Sequence, residues 1–108
     1  MDTKTYISTL KKKSREAGPV AMRQALCYHL YKENIPHRII AEVMDISLRL
    51  VYMSVHRAID LLEVNDCMVK AALEEARCHS ITIRPKTIDG FVITRHIGYK
   101  MIIDNVIY

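Results

Sequence analysis

Seven side chains between positions 47 and 57 have the chemistry of a surface that reads DNA: Ser47, Leu48, Arg49, Tyr52, Met53, His56 and Arg57, with no acid among the residues of that span. A guanidinium can place two hydrogen bonds on the acceptor edge of guanine, which makes Arg49 the candidate base reader. The Ser47 and Tyr52 hydroxyls can reach phosphate oxygens, and Leu48 or Met53 a thymine methyl. His56 and Arg57 add cationic character one to two turns further on, and Asp60 and Glu63 follow only beyond them. A second basic group, Lys11, Lys12, Lys13 and Arg15, lies upstream, with Arg23 shortly after it. The simpler reading of Tyr52 and Met53 is a packing or dimer face, that of the lysine run a solvated surface, and that of His56 an ordinary exposed histidine.

The distribution of charge supports the polyanion reading more than its total does. The chain of 108 residues has a formal net charge of +4. Residues 1–32 hold seven Lys or Arg against two acids, whereas residues 33–64 hold three against five. The excess is therefore amino-terminal and next to the candidate DNA-reading segment. Catalytic chemistry finds less support. The five histidines stand apart at 29, 37, 56, 79 and 96, and no nucleophile, base and orienting group come together. Cys27, Cys67 and Cys78 form an odd set without a CxxC pair, so neither a disulfide framework nor a zinc ribbon is expected. Cys78 and His79 lack the second pair that a structural metal would need. No GxxxxGK[ST] loop occurs. The expectation is a non-enzymatic protein with no metal or other cofactor.

Reading a groove requires a helix held in a fixed pose, and the surrounding pattern supplies candidates for its support. Tyr6, Ile7 and Leu10 predict a short first helix, ended by the lysine run and by Gly18 and Pro19. From Val20 to Glu33, Met22, Ala25, Leu26, Cys27, Leu30 and Tyr31 make a broad apolar stripe at helical spacing. The residue before Pro36 is biased away from helical angles, so "ENIP" is a junction. Ile39, Ile40, Val43 and Met44 form the face of a short helix of about nine residues. Then comes a second helix from Ser47 to about Val64, with Ser47 as cap and Val51, Val55, Ala58, Ile59 and Leu62 facing inward. The spacing is that of a helix-turn-helix, with the small Ala41 where the helices cross and Met44 and Ile46 bracketing the turn. Where such turns often carry Gly, this chain has Asp45, among the residues next most tolerant of positive φ.

The run "MRQALCYHLYKENIPHRIIAEVMDISLRLVYMSVHRAIDLL", Met22 to Leu62, resembles the carboxy-terminal DNA-binding domain of the bacterial replication initiator DnaA. The shared features are the Arg23–Gln24 pair opening the first long helix, a Tyr within it, the helix-turn-helix and the long helix ending in Leu61 and Leu62. The resemblance covers roughly residues 6–65. It implies a basic loop beside the groove, matched in position by Lys11 to Arg15. The family's signature at the start of the recognition helix, Gly-Arg-Asp-His-Ser-Thr-Val, stands here as "DISLRLV" and retains Val51. What carries over is the architecture and the mode of binding, not the initiator's own DNA site or its ATPase.

The last third changes texture. After a helix with Val69, Ala72, Leu73 and Ala76 on one side, residues 80–108 are rich in Ile, Val, Thr and Tyr. Asp89–Gly90 predicts a hairpin turn, with strands near Ile81–Arg84 and Phe91–His96 and a third near Met101–Ile107. Such a hairpin needs to pack on the helices or on another chain. As a wing it would add Arg84, Lys86 and Arg95 to the DNA surface; as an exposed edge it would pair with a second copy in a homodimer. The expected architecture is mainly α: a helix-turn-helix DNA-binding unit over residues 1–79 and a β-hairpin or small antiparallel sheet over 80–108. No apolar run reaches the roughly 18 residues of a membrane span. The expected protein is a small cytoplasmic regulator or replication-associated factor of bacterial or phage type, with double-stranded DNA as partner. The competing expectation is a protein-interaction module on the same scaffold.

Overall fold

The computed structural model describes residues 1–86 and 98–108. Five helices come first: α1 (Thr3–Lys11), α2 (Ala17–Lys32), α3 (His37–Met44), α4 (Leu48–Glu63) and α5 (Cys67–Cys78). A small sheet of β1 (Ile81–Pro85), β2 (Tyr99–Ile103) and β3 (Val106–Ile107) follows, in that spatial order and antiparallel throughout. The mainly α architecture with a carboxy-terminal antiparallel sheet is therefore present. The expected Asp89–Gly90 turn, the strand at Phe91–His96 and Arg95 lie outside the described residues.

Each helix starts and stops for a local reason. The Asp2 carboxylate caps α1 by accepting from the Thr5 N–H at 2.7 Å, and Tyr6, Ile7 and Leu10 are buried. Lys13, at φ 50, turns the chain away from the helix axis. Where the sequence reading starts the second helix at Val20, α2 begins at Ala17 and takes Gly18 and Pro19 into its first turn. Proline's missing N–H costs nothing there, because a first-turn N–H has no intrahelical acceptor.

One terminator then recurs. Asn34, Asp45 and Asn65 all have left-handed backbones, at φ 65, 54 and 58. After each, an N–H reaches back to a carbonyl five residues earlier: Ile35 to Leu30 at 3.1 Å, Ile46 to Ala41 at 3.1 Å and Asp66 to Leu61 at 2.9 Å. This bond satisfies a carbonyl left open at the helix end, and Asn or Asp tolerates the left-handed angle at modest cost. Asp45 thus takes the place of a turn glycine. The next helices are capped at once: Ser47 Oγ accepts from Leu50 N–H at 3.1 Å, and Asp66 Oδ2 from Val69 N–H at 3.0 Å.

The helices close around Leu26, Leu30, Ile40, Val51 and Val69, all buried, with Met101 and Ile103 of β2 in the same cluster. α2 is central, packing on α4 and α5, while β2 lies against α3. Most expected inward positions are buried, including Val51, Val55 and Ala58 of α4 and all four named on α5. Four are less covered than their spacing suggests: Ile39, Ala41, Ile59 and Leu62 are half-buried. Tyr31, expected within the α2 stripe, is 40% exposed; it lies in the last turn of α2 with its ring against His37.

The sheet departs from the expected third strand at Met101–Ile107. That stretch is two strands, β2 and β3, joined by Asp104 and Asn105 at φ 49 and 67. Two consecutive left-handed residues make the two-residue turn that suits strand twist, and Asp and Asn are among the few that accept it. β1 pairs with β2 in the register Ile81↔Ile103 to Pro85↔Tyr99. No helix among the described residues is long and apolar enough to cross a membrane.

Candidate nucleic-acid interface

The turn at Asp45 sets α4 against α3 and leaves one long side of α4 uncovered. On that side Arg49, His56 and Arg57 are exposed, and none of them forms an ion pair within the described residues. Leu48, Tyr52 and Met53 are exposed to 44%, 47% and 57%. Ser47 spends its hydroxyl on the cap, so its oxygen already accepts one hydrogen bond before any phosphate arrives.

The basic segment between α1 and α2 lies over this unit. Lys13 Nζ stands 3.3 Å from Asp45 Oδ2, so the segment touches the turn of the helix-turn-helix itself. Both partners are well exposed, and a pair of this kind contributes only about 0–1 kcal/mol. Lys11 Nζ lies 5.1 Å from the centre of the Tyr108 ring, while Lys12 and Arg15 are exposed. The half-buried Arg23 donates to the Ser14 carbonyl at 3.3 Å, which ties the same segment to α2.

Arg23 also enters a concavity of about 470 Å³ between α2 and α4, where it meets Met53, His56 and Arg57. Gln24 and Asp60 complete its polar rim, over a floor that includes Val20 and Leu50. Residues from positions 23 to 60 thus share one surface, and Asp60 is the acid that interrupts it. Beneath that surface Ser54 is buried, a position the apolar periodicity does not mark. Burial pushes the thiol of Cys27 up to about 12, with the Ser54 hydroxyl acting weakly in the other direction. Cys27 Sγ also lies 3.6 Å from Met44 Sδ, so this cysteine is a packed core residue.

An aromatic column on the other flank of α4 escapes sequence reasoning. His37, the first residue of α3, stacks on Tyr52 with ring centres 4.3 Å apart and planes 11° from parallel. Tyr31 of α2 leans against His37 at 5.3 Å and 52°. Three helices meet in these rings, and no spacing rule within one helix would have joined them.

Titratable groups concentrate in one further place, and there they are turned inward. The His79 side chain is 6% exposed, with Nδ1 2.5 Å from Asp104 Oδ2 and Nε2 3.4 Å from Glu75 Oε2. Glu75 is within ion-pair reach of Nε2 but without hydrogen-bond geometry, so that nitrogen and the Tyr6 hydroxyl have no hydrogen-bond partner among the described residues. Thr3 Oγ1 donates to Asp104 Oδ2 at 2.6 Å and the Ser80 N–H to Oδ1 at 2.7 Å. The Tyr6 ring stacks on His79 at 4.4 Å. Hydrogen bonding to His79, then to Thr3 and Ser80, draws the Asp104 carboxyl down to about 2. Cys78, which the sequence sets beside His79, is exposed and outside this arrangement. The cluster holds α1, α5 and the β2–β3 turn together.

No protein-family model, curated protein or solved structure matches this chain.

Proposed function

We propose that this protein binds double-stranded DNA through the α3–α4 helix-turn-helix, with α4 as the recognition helix and the α1–α2 segment as a flanking phosphate contact. The observation that carries the reading is the Lys13–Asp45 contact, which places a basic segment beside a turn 32 residues later. Cations separated in sequence are thereby offered to one polyanion. Arg49, His56 and Arg57 have no competing ion pair among the described residues, so they need not break an internal bond to meet phosphate or base. The resemblance of residues 6–65 to the DNA-binding domain of the DnaA family supports the same mode. In this reading the protein is a small regulator or replication-associated factor acting in the cytoplasm, and the carboxy-terminal strands offer edges through which two copies could pair.

A second reading rests on a specific observation. Leu48, Tyr52 and Met53 expose apolar surface on the very helix that should face DNA, which a protein-interaction module would use. Anisotropy titration with random-sequence duplex over a range of salt separates the two. The DNA reading expects binding at low salt that weakens steeply as salt rises, since neutralised phosphates release counterions. Absence of binding at low salt leaves the interaction module.

A further inference from the structure

We propose that the Tyr31–His37–Tyr52 column is a stacking platform for an unpaired nucleobase, so that the preferred ligand is a DNA duplex continued by a single-stranded extension. The inference rests on the duplex-binding reading and names its ligand class more closely. His37 covers one face of the Tyr52 ring in near-parallel contact. Tyr52 nonetheless remains 47% exposed, so about half of this residue is still open to a ligand. Tyr31 leans on His37 at a tilt of 52° and is itself 40% exposed.

A base inside a duplex has both faces covered by its neighbours and presents only edges. An unpaired base presents a face, and stacking on an aromatic ring accepts any base, because every base has one. The charge around Tyr52 suits the rest of a nucleotide. Arg49 lies three residues before it and His56 four residues after, positions that share its side of the helix. Both are exposed and form no ion pair among the described residues. An apolar protein partner along Leu48 and Tyr52 would leave the Arg49 guanidinium without a role, whereas a nucleotide uses ring and guanidinium together.

The test compares a blunt duplex, the same duplex with a short thymidine extension, and the same duplex with an abasic extension of equal phosphate count. Wild-type protein is expected to bind the thymidine-extended duplex about tenfold more tightly than either of the others, from stacking of a base on the ring. Tyr52→Phe keeps the ring and should keep the preference; Tyr52→Leu, checked for folding by circular dichroism, should bind the thymidine-extended and abasic-extended duplexes equally. Should Tyr52→Leu fail to fold, the abasic comparison on wild-type protein still decides. Equal affinity for blunt and extended duplex, or an abasic extension as effective as thymidine, overturns the stacking inference and leaves duplex binding intact. Binding to none of the three overturns both.

Discussion

The outer side of α4 and the pocket around His79 are both rich in polar groups, but they treat them in opposite ways. Around His79, side chains from α1, the end of α5 and the β2–β3 turn are tied to one another: Thr3 and His79 bond Asp104, Glu75 stands within ion-pair reach, and the imidazole is almost wholly buried. On α4, Arg49, His56 and Arg57 stay exposed without internal partners among the described residues, and the nearest acids on the helix come later. Buried polar groups are tolerated chiefly when bonded, and the bonds that Asp104 accepts from Thr3, His79 and Ser80 give this cluster a role in the fold itself. Exposed cations carry no such requirement. Their grouping near a basic segment that touches the turn is left unexplained by stability alone, and this is the ground for proposing a partner there.

Removing one member of the inward cluster should have the largest effect on stability. Asp104→Ala takes an acceptor from Thr3, Ser80 and His79 together and should cost about 1–3 kcal/mol in chemical denaturation. Its duplex affinity should change little. A variant as stable as the parent would mean that the cluster is incidental, and the contrast with α4 would lose its basis.

The same carboxyl sharpens the comparison through pH. Its value is lowered from 3.8 to about 2, so the folded protein favours the charged form. The unfolded state therefore binds more protons between those values. The stability that Asp104 contributes is complete above 3.8 and is lost as pH falls through about 2. The difference in stability between the parent and Asp104→Asn should be level at neutral pH and shrink in that acid window. Shrinkage beginning near neutrality would point to a different group.

On α4 the expected pattern is reversed. Arg49→Ala should move stability by no more than about 0.5 kcal/mol, as surface changes usually do. Affinity for a duplex selected by the parent protein should fall by roughly 1–3 kcal/mol, with a smaller loss on scrambled duplex. Equal losses on both would reassign Arg49 to a phosphate contact.

How far these features could be read in advance depended on whether their cause was local. Helical periodicity located the buried faces of α4 and α5, Pro36 marked the junction after α2, and the tolerance of Asp45 for unusual angles marked the turn after α3. Asn65 uses the same device and went unread, since the polar "NDC" that follows α4 reads as a generic junction. The Asp104–Asn105 turn was missed because two polar residues between Ile103 and Val106 resemble the solvent side of one alternating strand. Their joint tolerance of left-handed angles was the available signal. The His79 cluster draws on positions 3, 75, 79 and 104, and the aromatic column on 31, 37 and 52. Only tertiary packing brings either set together. The candidate DNA-facing residues were legible on α4 because one helix carries them. That the lysine segment lies beside the turn and against α2 depends on the Lys13–Asp45 and Arg23–Ser14 contacts, which no local pattern encodes.

The joint surface of α4 and that segment is tested most directly by the salt dependence of duplex binding when Lys11, Lys12, Lys13 and Arg15 are neutralised together. The parent protein should show a steep linear fall of log affinity with log salt, and the quadruple variant a slope shallower by about 0.9 for each phosphate that the protein no longer neutralises. An unchanged slope would contradict the account, because the basic segment would then be a solvated run that happens to lie beside the turn.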